Sequence, residues 1–390
     1  MVDIQARTYP VSAESSQGAA RLRIALHANR NAALAAIDAL PADILCSGYQ
    51  HPDFLRAWVR HSPHEPVFVT FVPERAGPVL MPLERVDGHL LAYAGERHAN
   101  ANFPVGRPDD IAALAATGEK AIVQALRAAR PGGHAILLER QLAEYRGIAN
   151  PFVFEHSVVS PNPALSLSLE GGFDNVLSRH SGKRRRKRFR GQERQFEDKG
   201  GYCYIAAVDT GAVPATLERF FDWKAKHFEA AGIHDVFADD HIRRFYFDLF
   251  AEGAHREPRG RELKVLEAGG QPVAIIGCTV HDGRLTVEFG SYDAAQAELS
   301  PGDMLFFLAI REATENGLEF FDFGIGDEPY KRGWCEIETL QRDTVIPLDT
   351  VGRLVGAAKA ARSSAVRSIK TNPVIWKAVK QLRKRVPILR

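Results

Sequence analysis

Leu299-Ser300-Pro301-Gly302-Asp303-Met304 opens a stretch that closes with Phe321-Asp322-Phe323-Gly324-Ile325-Gly326-Asp327-Glu328-Pro329-Tyr330-Lys331, and its reading decides the fold. A Ser-Pro-Gly turn starts a helix over 303–316, which Asn316-Gly317 ends. A strand follows at Phe320 to Phe323. It runs into an acidic loop bracketed by Gly324 and Gly326, with Tyr330 and Lys331 at the exit. Turn, helix, strand and loop make a βαβ-sized unit. It sets a helix N-terminus beside several ionisable side chains, an arrangement suited to a phosphate-bearing cofactor next to reacting groups.

Upstream, strands fit Glu262 to Glu267, Val273 to Val280 and Arg284 to Ser291, with Gly269-Gly270 and Asp282-Gly283 as tight turns. Helices fit 173–199, 214–231 and 239–252, and a strand fits Tyr202 to Ala206. The first 150 residues hold a similar mixture. Helices are expected over 21–40, from about His51-Pro52-Asp53, and over 110–129; strands are expected at 67–72, 79–83, 90–93 and 135–138. Both halves read as mixed α/β, with helices, an antiparallel meander and a final βαβ-like unit. No residue-level repeat relates them. The chain has 390 residues, too many for one ordinary core. The expected organisation is a disordered lead-in (1–20), a first domain (21–160), a second (161–350) and a basic tail (351–390).

Composition is that of a water-exposed globular protein, 45% hydrophobic and 25% charged. No apolar run approaches the roughly 18 residues of a membrane-spanning helix. The polar first twenty residues lack the apolar centre of a secretory signal. Cys46, Cys203, Cys278 and Cys335 have no CxxC spacing, so neither a zinc site nor a disulfide framework is expected, and a cytoplasmic setting fits. The net charge of +2 hides an asymmetry: 351–390 holds eleven Lys or Arg and no acid, which leaves the first 350 residues at −9.

Three places carry candidate chemistry. At the turn, Gly302 permits close backbone approach, and amides from Asp303 onward point at an incoming phosphate; Ser300, Gly302, Asp303 and Met304 are the candidate donor-binding positions. The plain alternative is an ordinary helix cap. At the strand end, Asp322, Tyr330 and Lys331 bring a carboxylate, a phenol and an amine together for acid–base work, against the alternative of a charged surface turn. Within the strand, Glu288 shares a face with Thr286 and Gly290 by alternation; facing a cleft it would have a raised pKa and accept a proton, facing water it is an ordinary outward Glu. Asp-Phe-Gly also occurs in protein kinases, but no Gly-rich loop or His-Arg-Asp precedes it here.

Two basic regions bear on partners. Lys183 to Arg190 contains seven basic residues in eight. It reads as a solvated helix or as a phosphate site, with Arg186 as its candidate ligand; the acidic body argues against duplex nucleic acid. In the tail, Val351, Leu354, Val355, Ala358, Ala365, Val366 and Ile369 recur at helical spacing among Lys and Arg, and Trp376 stands in a second such segment. That is the pattern of an amphipathic anchor on an anionic membrane surface, peripheral at its inner face; a helix packed on the acidic body is the alternative.

Tyr292-Asp293, Ser300-Pro301-Gly302, Asp322-Phe323-Gly324, Gly326-Asp327 and Tyr330-Lys331, in this order and spacing, resemble the CelD/BcsL-type acyltransferases of the GNAT superfamily. The resemblance is strongest over about 173–335 and extends to Trp223-Lys224-Ala225-Lys226-His227-Phe228. It implies tandem GNAT-like domains, each a mixed, largely antiparallel sheet flanked by helices. It also implies N-acyl transfer from acyl-CoA as co-substrate to an amine, with no permanent cofactor and no metal. A typical GNAT domain has a Gln/Arg-x-x-Gly-x-Gly/Ala turn where this chain has Ser300-Pro301-Gly302-Asp303. Peptidoglycan-bridge relatives take aminoacyl-tRNA, so a tRNA-linked donor stays open. In this reading Glu288 or Asp322 is the base, Tyr330 protonates the leaving thiolate, and Lys331 holds phosphate or an oxyanion. The acceptor is an exopolysaccharide amino sugar or an amino-lipid such as a sphingoid base. The alternative is a non-catalytic GNAT-like scaffold.

Overall fold

The computed structural model describes residues 8–9, 22–207, 211–254 and 260–371. Two compact units result: one takes the chain to Asn162 and again from Leu340, the other takes Pro163–Thr339.

In the first unit, Thr8–Tyr9, Arg23–His27, Phe68–Val72 and Val79–Met81 form an antiparallel four-stranded sheet. The Ala- and Leu-rich segment 21–40 is therefore not one helix. Arg23–His27 pairs along Phe68–Val72, and the helix is confined to Arg30–Asp38, where Asn29 caps the Ala32 N–H at 2.8 Å. Cross-strand pairing outweighs helix propensity there. The second sheet runs Val158–Val159, Arg342–Pro347, Ala135–Gln141, Leu90–Tyr93, Leu83–Val86. Leu90–Tyr93 and Ala135–Gln141 lie parallel, with the Pro108–Ala129 helix between them in sequence. Phe71, Phe103, Ile136 and Phe152 centre the core.

The chain re-enters this unit through Arg342–Pro347, which the sequence reading did not assign as a strand. It pairs with Ala135–Gln141, and the following helix, Thr350–Thr371, packs over both. Lys359 reaches Glu139 at 3.5 Å. The outer side of that helix carries Val351, Leu354, Ala358, Ala361 and Ala365, all exposed and spaced three and four apart. Leu354 is 71% exposed. The remainder of the expected tail, 372–390, lies outside the described residues, as does nearly all of the lead-in. Among the described residues no helix is long and apolar enough to cross a membrane.

The second unit is built on a seven-stranded sheet in the order Tyr202–Ala207, Arg261–Ala268, Gln271–His281, Arg284–Tyr292, Phe320–Ile325, Ala164–Ser168, Ile337–Thr339. The meander expected over 261–292 is present. Arg284–Tyr292 and Phe320–Ile325 are the parallel pair, joined through the helix Pro301–Glu315. The segment expected as one helix over 173–199 is two, Gly172–Arg179 and Gly182–Glu197, because Ser181 adopts a left-handed φ of 59° between them. Phe189 stacks on Phe307 at 4.2 Å and fastens the basic helix to Pro301–Glu315.

One buried charge in the first unit makes its stability depend on pH. Glu84 is 1% exposed and accepts from Trp58 Nε1 at 2.7 Å, Ser62 Oγ at 3.0 Å and the Gly95 N–H at 3.2 Å. Burial outweighs these donors and raises its pKa to about 7. The native state thus keeps a proton that the unfolded chain loses near pH 4.5. Stability is expected to fall as pH rises from about 4.5 to about 7, then to level. His64, raised by its Glu96 partner, contributes with the same sign at the upper end. Thermal melts across this range check the slope, and Glu84→Gln is expected to flatten it.

Candidate active site

Arg284–Tyr292 and Phe320–Ile325 pair at only three levels: Arg284 with Phe320, Leu285 with Phe321, Thr286 with Asp322. Beyond that point each strand keeps its outer neighbour. Arg284–Tyr292 stays paired with Gln271–His281 as far as Tyr292, and Phe320–Ile325 stays paired with Ala164–Ser168 as far as Ile325. The two strands lose only each other, which leaves a wedge between parallel edges in the middle of the sheet. Backbone groups facing such a wedge have no ladder partner and are available to an extended ligand.

A β-bulge accompanies this opening. Cys278 pairs with Val287 and Gly277 with Phe289, so Glu288 is the extra residue. Glu288 keeps the face of Thr286, where the Thr279 hydroxyl meets it, and the extra residue brings Phe289 onto that face too, so the alternation fails only toward Gly290. That face lies under the helices Ala212–Ala231 and Asp240–Ala254. Phe289 packs there against Phe220, Tyr246 and Phe250, and its ring lies over Gly277, where a Cβ would collide with it. Glu288, its side chain 2% exposed, accepts from Arg261 and from the Thr279 hydroxyl. Burial raises its pKa and Arg261 opposes that shift. It stands enclosed with its arginine, not at a cleft.

The mouth of the wedge is held by two lysines. Lys224, from Ala212–Ala231, donates to the Gly290 carbonyl at 3.2 Å. Lys331, 6% exposed, donates to the Ile325 carbonyl at 2.7 Å and pairs with Glu328 at 3.1 Å. Each lysine is thus pinned to the end of a different strand. Burial lowers the pKa of Lys224; Glu328 opposes this and Lys331 adds to it. One turn on, His227 Nδ1 lies 3.0 Å from Ser291 Oγ and its ring lies 4.9 Å from that of Tyr292. Burial, then Lys224, holds the His227 pKa down.

Asp322 sits at the last paired level. It accepts from Arg284 at 3.1 Å and from the Gly324 N–H at 2.7 Å, which fixes the start of the acidic loop. Gly324 and Gly326, at φ 69° and 132°, supply left-handed turns there. Tyr330, half exposed, stacks on Phe306 at 5.5 Å.

The helix start is more occupied than expected. Ser300 has a left-handed φ of 48° and makes no side-chain cap, and the Asp303 and Met304 amides both turn back to its carbonyl. The Met304 side chain is fully buried in the core. Gly302 keeps its amide at the helix mouth, and a Cβ there would lie 3.9 Å from the Tyr292 ring. The cation reaching this place is Arg188, 2.9 Å from Asp303. Arg186 instead pairs with Asp174 at 2.6 Å on an exposed surface. The structure therefore gathers Gly302, Asp303, Asp322, Tyr330 and Lys331 around the wedge, and directs Glu288 and Arg186 elsewhere. Lys224, His227, Ser291 and Arg188 were not assigned roles from sequence. Only the general likeness of Trp223 to Phe228 pointed toward the first two.

Residues 183–332 match the acetyltransferase (GNAT) domain family. That span contains the wedge, both lysines and the helix start. No curated protein sequence matches significantly. Among known structures, FemX superposes with a TM-score of 0.51 at 10% identity, over 81% of this chain and 96% of its own. At that identity the likeness is one of fold. L-PGS from Bacillus licheniformis gives 0.48 at 16% identity over 71% and 86%, and the C-terminal DUF2156 domain of an Agrobacterium fabrum protein assigned as a lysylphosphatidylglycerol synthetase gives 0.49 at 15% over 80% and 92%. The second unit thus carries a GNAT-type acyltransferase fold. Among the described residues no cluster of side chains is arranged to hold a metal ion.

The bulge yields a stability prediction. Glu288→Ala takes from the buried Arg261 guanidinium its ion-pair partner at the bulge, so the second unit is expected to lose about 3–5 kcal/mol. Urea unfolding measures it. A loss below about 1 kcal/mol contradicts a structural role for the pair.

Proposed function

We propose that the protein is an acyl-CoA-dependent N-acyltransferase acting on an amine acceptor at a membrane surface. The observation that carries this is the wedge with two pinned lysines at its mouth, inside the segment that matches the GNAT domain. An acyl-CoA has an extended amide-bearing arm that suits unpaired strand edges, and a phosphate-rich head that suits a helix start beside arginines. The Gly302 amide, the helix dipole and Arg188 face that head. Asp303 and Ser300 shape the turn.

The chemistry asks little more than orientation and proton handling. Amine attack on a thioester carbonyl builds negative charge on oxygen, and a buried ammonium stabilises it. Lys331 has that role. Tyr330, a protonated phenol at neutral pH, gives its proton to the departing thiolate. Asp322 positions the loop that carries both. Glu288 and Asp322 are each committed to an arginine, so neither carboxylate is free to take the acceptor's proton.

The acceptor we favour is an amino-lipid such as a sphingoid base, with an exopolysaccharide amino-sugar precursor as the other member of the class. The outward apolar stripe on Thr350–Thr371 supports a membrane location, and eleven basic residues over 351–390 suit an anionic surface. A scaffold reading has one observation in its favour: the Asp303 amide is already bonded to the Ser300 carbonyl, leaving one donor fewer for phosphate than an open helix start.

One assay separates the two. Purified protein is given acyl-CoAs of graded length with sphingoid-base or amino-sugar acceptors, and thiol release and amide product are followed. Amine-dependent release is expected, falling about 100-fold or more in Lys331→Ala. Anionic vesicles are expected to raise the rate, and Leu354→Glu to remove that increase. No release with any amine, or full activity in Lys331→Ala, overturns the enzyme reading.

A further inference from the structure

The transferase reading leaves a chemical gap. An aliphatic amine arrives as an ammonium, which has no lone pair to attack with, and both carboxylates expected as bases are tied to arginines. Two other nitrogen bases stand at the wedge, Lys224 and His227, and Lys224 is the one anchored to a strand-end carbonyl at its mouth. We propose that Lys224 is the general base of this site, taking the proton from the acceptor ammonium at the Gly290 side of the wedge.

Position supports this first. Lys224 Nζ holds one acceptor, the Gly290 carbonyl, at 3.2 Å, and lies 5.0 Å from the Phe228 ring centre. Among the described residues no carboxylate lies within ion-pairing distance of it, in contrast to Lys331 with Glu328. Its anchor lies on the strand opposite the one that anchors Lys331, so an acyl carbonyl held between the strands is flanked by both. The charged groups acting on it are Glu328 and Lys331 from the loop after Phe320–Ile325 and Asp235 from the segment after its own helix; His227 lies one turn on. Burial and the second cation both favour the neutral amine, and Glu328 and Asp235 only partly offset them. The two lysines at one mouth thereby differ: Lys331 is paired with Glu328, while burial and the neighbouring Lys331 push the pKa of Lys224 down.

The proposal rests on the acyl-CoA reading, and its balance is as follows. Neutral Lys224 takes one proton from R–NH3+, giving R–NH2 and the Lys224 ammonium. The amine nitrogen attacks the thioester carbon; a C–N bond forms and the C–S bond breaks. Tyr330 protonates the departing sulfur, and the second nitrogen proton, lost as the amide forms, passes to the phenolate and restores the phenol. Lys224 returns its proton to water past Glu328, which is half exposed.

Two measurements on the full chain test it. The first needs no turnover: trace labelling with acetic anhydride from pH 6 to 10, read by peptide mass spectrometry. Lys224 is expected to react at lower pH than exposed Lys226 on the same helix, and acyl-CoA is expected to protect it. Labelling in step with Lys226, or no labelling at any pH, overturns the proposal. The second is the pH profile of amine-dependent thiol release. Lys224→Met and Lys224→Arg are expected to lose about 100-fold or more in kcat with little change in the KM for acyl-CoA, and the loss is expected to shrink as pH rises and the free amine becomes abundant. A pH-independent loss, or kcat within threefold of wild type, overturns it. Early labelling of Lys224 in a protein that transfers no acyl group contradicts the transferase reading and leaves the perturbed lysine standing.

Discussion

The Arg261–Glu288 pair, closed under two helices with the Thr279 hydroxyl, holds the one extra residue in the strand Arg284–Tyr292. An extra residue sharpens local twist and ends regular pairing. In this strand it follows the last level at which Phe320–Ile325 still pairs, at Asp322. The wedge then has fixed walls, because each strand remains bonded to its outer neighbour. Phe289 seals the bulge on the same face by lying on Gly277, a position with no side chain to displace it. A carboxylate that read as a candidate base is thus part of the frame on which the site is built.

The lysines at the mouth follow from that frame. Strand ends that stop pairing present carbonyls, and a buried ammonium needs acceptors. Gly290 and Ile325 supply them to Lys224 and Lys331. Among the described residues Lys331 also has a carboxylate partner and Lys224 does not, and the proposed division of roles between them rests on this asymmetry. The helix start contributes less than its sequence promised, since the Asp303 amide is turned onto the Ser300 carbonyl and the helical bonds begin at Met304. Arg188, brought up by the stacking of Phe189 on Phe307, supplies positive charge there instead.

Much of the second unit was legible because its elements are punctuated. Gly269-Gly270 and Asp282-Gly283 set the meander, and Asn316-Gly317 ends the helix. Alternation held from Thr286 to Glu288 and failed beyond it, because a bulge leaves no local mark in sequence. The segment 21–40 misled because Ala and Leu favour helix while the Arg23–His27 strand depends on partners more than forty residues away. Arg342–Pro347 was hidden for the same reason, as its partner Ala135–Gln141 is two hundred residues earlier. Lys224 looked like an ordinary charge on a helix; the carbonyl that defines it is 66 residues downstream. Tyr330 and Lys331 were visible because they follow a strand end directly, where the chain itself brings them to the site.

The central claim is that the wedge between Arg284–Tyr292 and Phe320–Ile325 receives the acyl donor. Hydrogen–deuterium exchange of the full chain with and without a long-chain acyl-CoA tests it most directly. The account predicts slowed exchange over 287–292 and 323–331, together with the Gly302 amide, and little change in the first unit's four-stranded sheet. Unchanged exchange at both strand ends, with protection confined to another part of the chain, contradicts it.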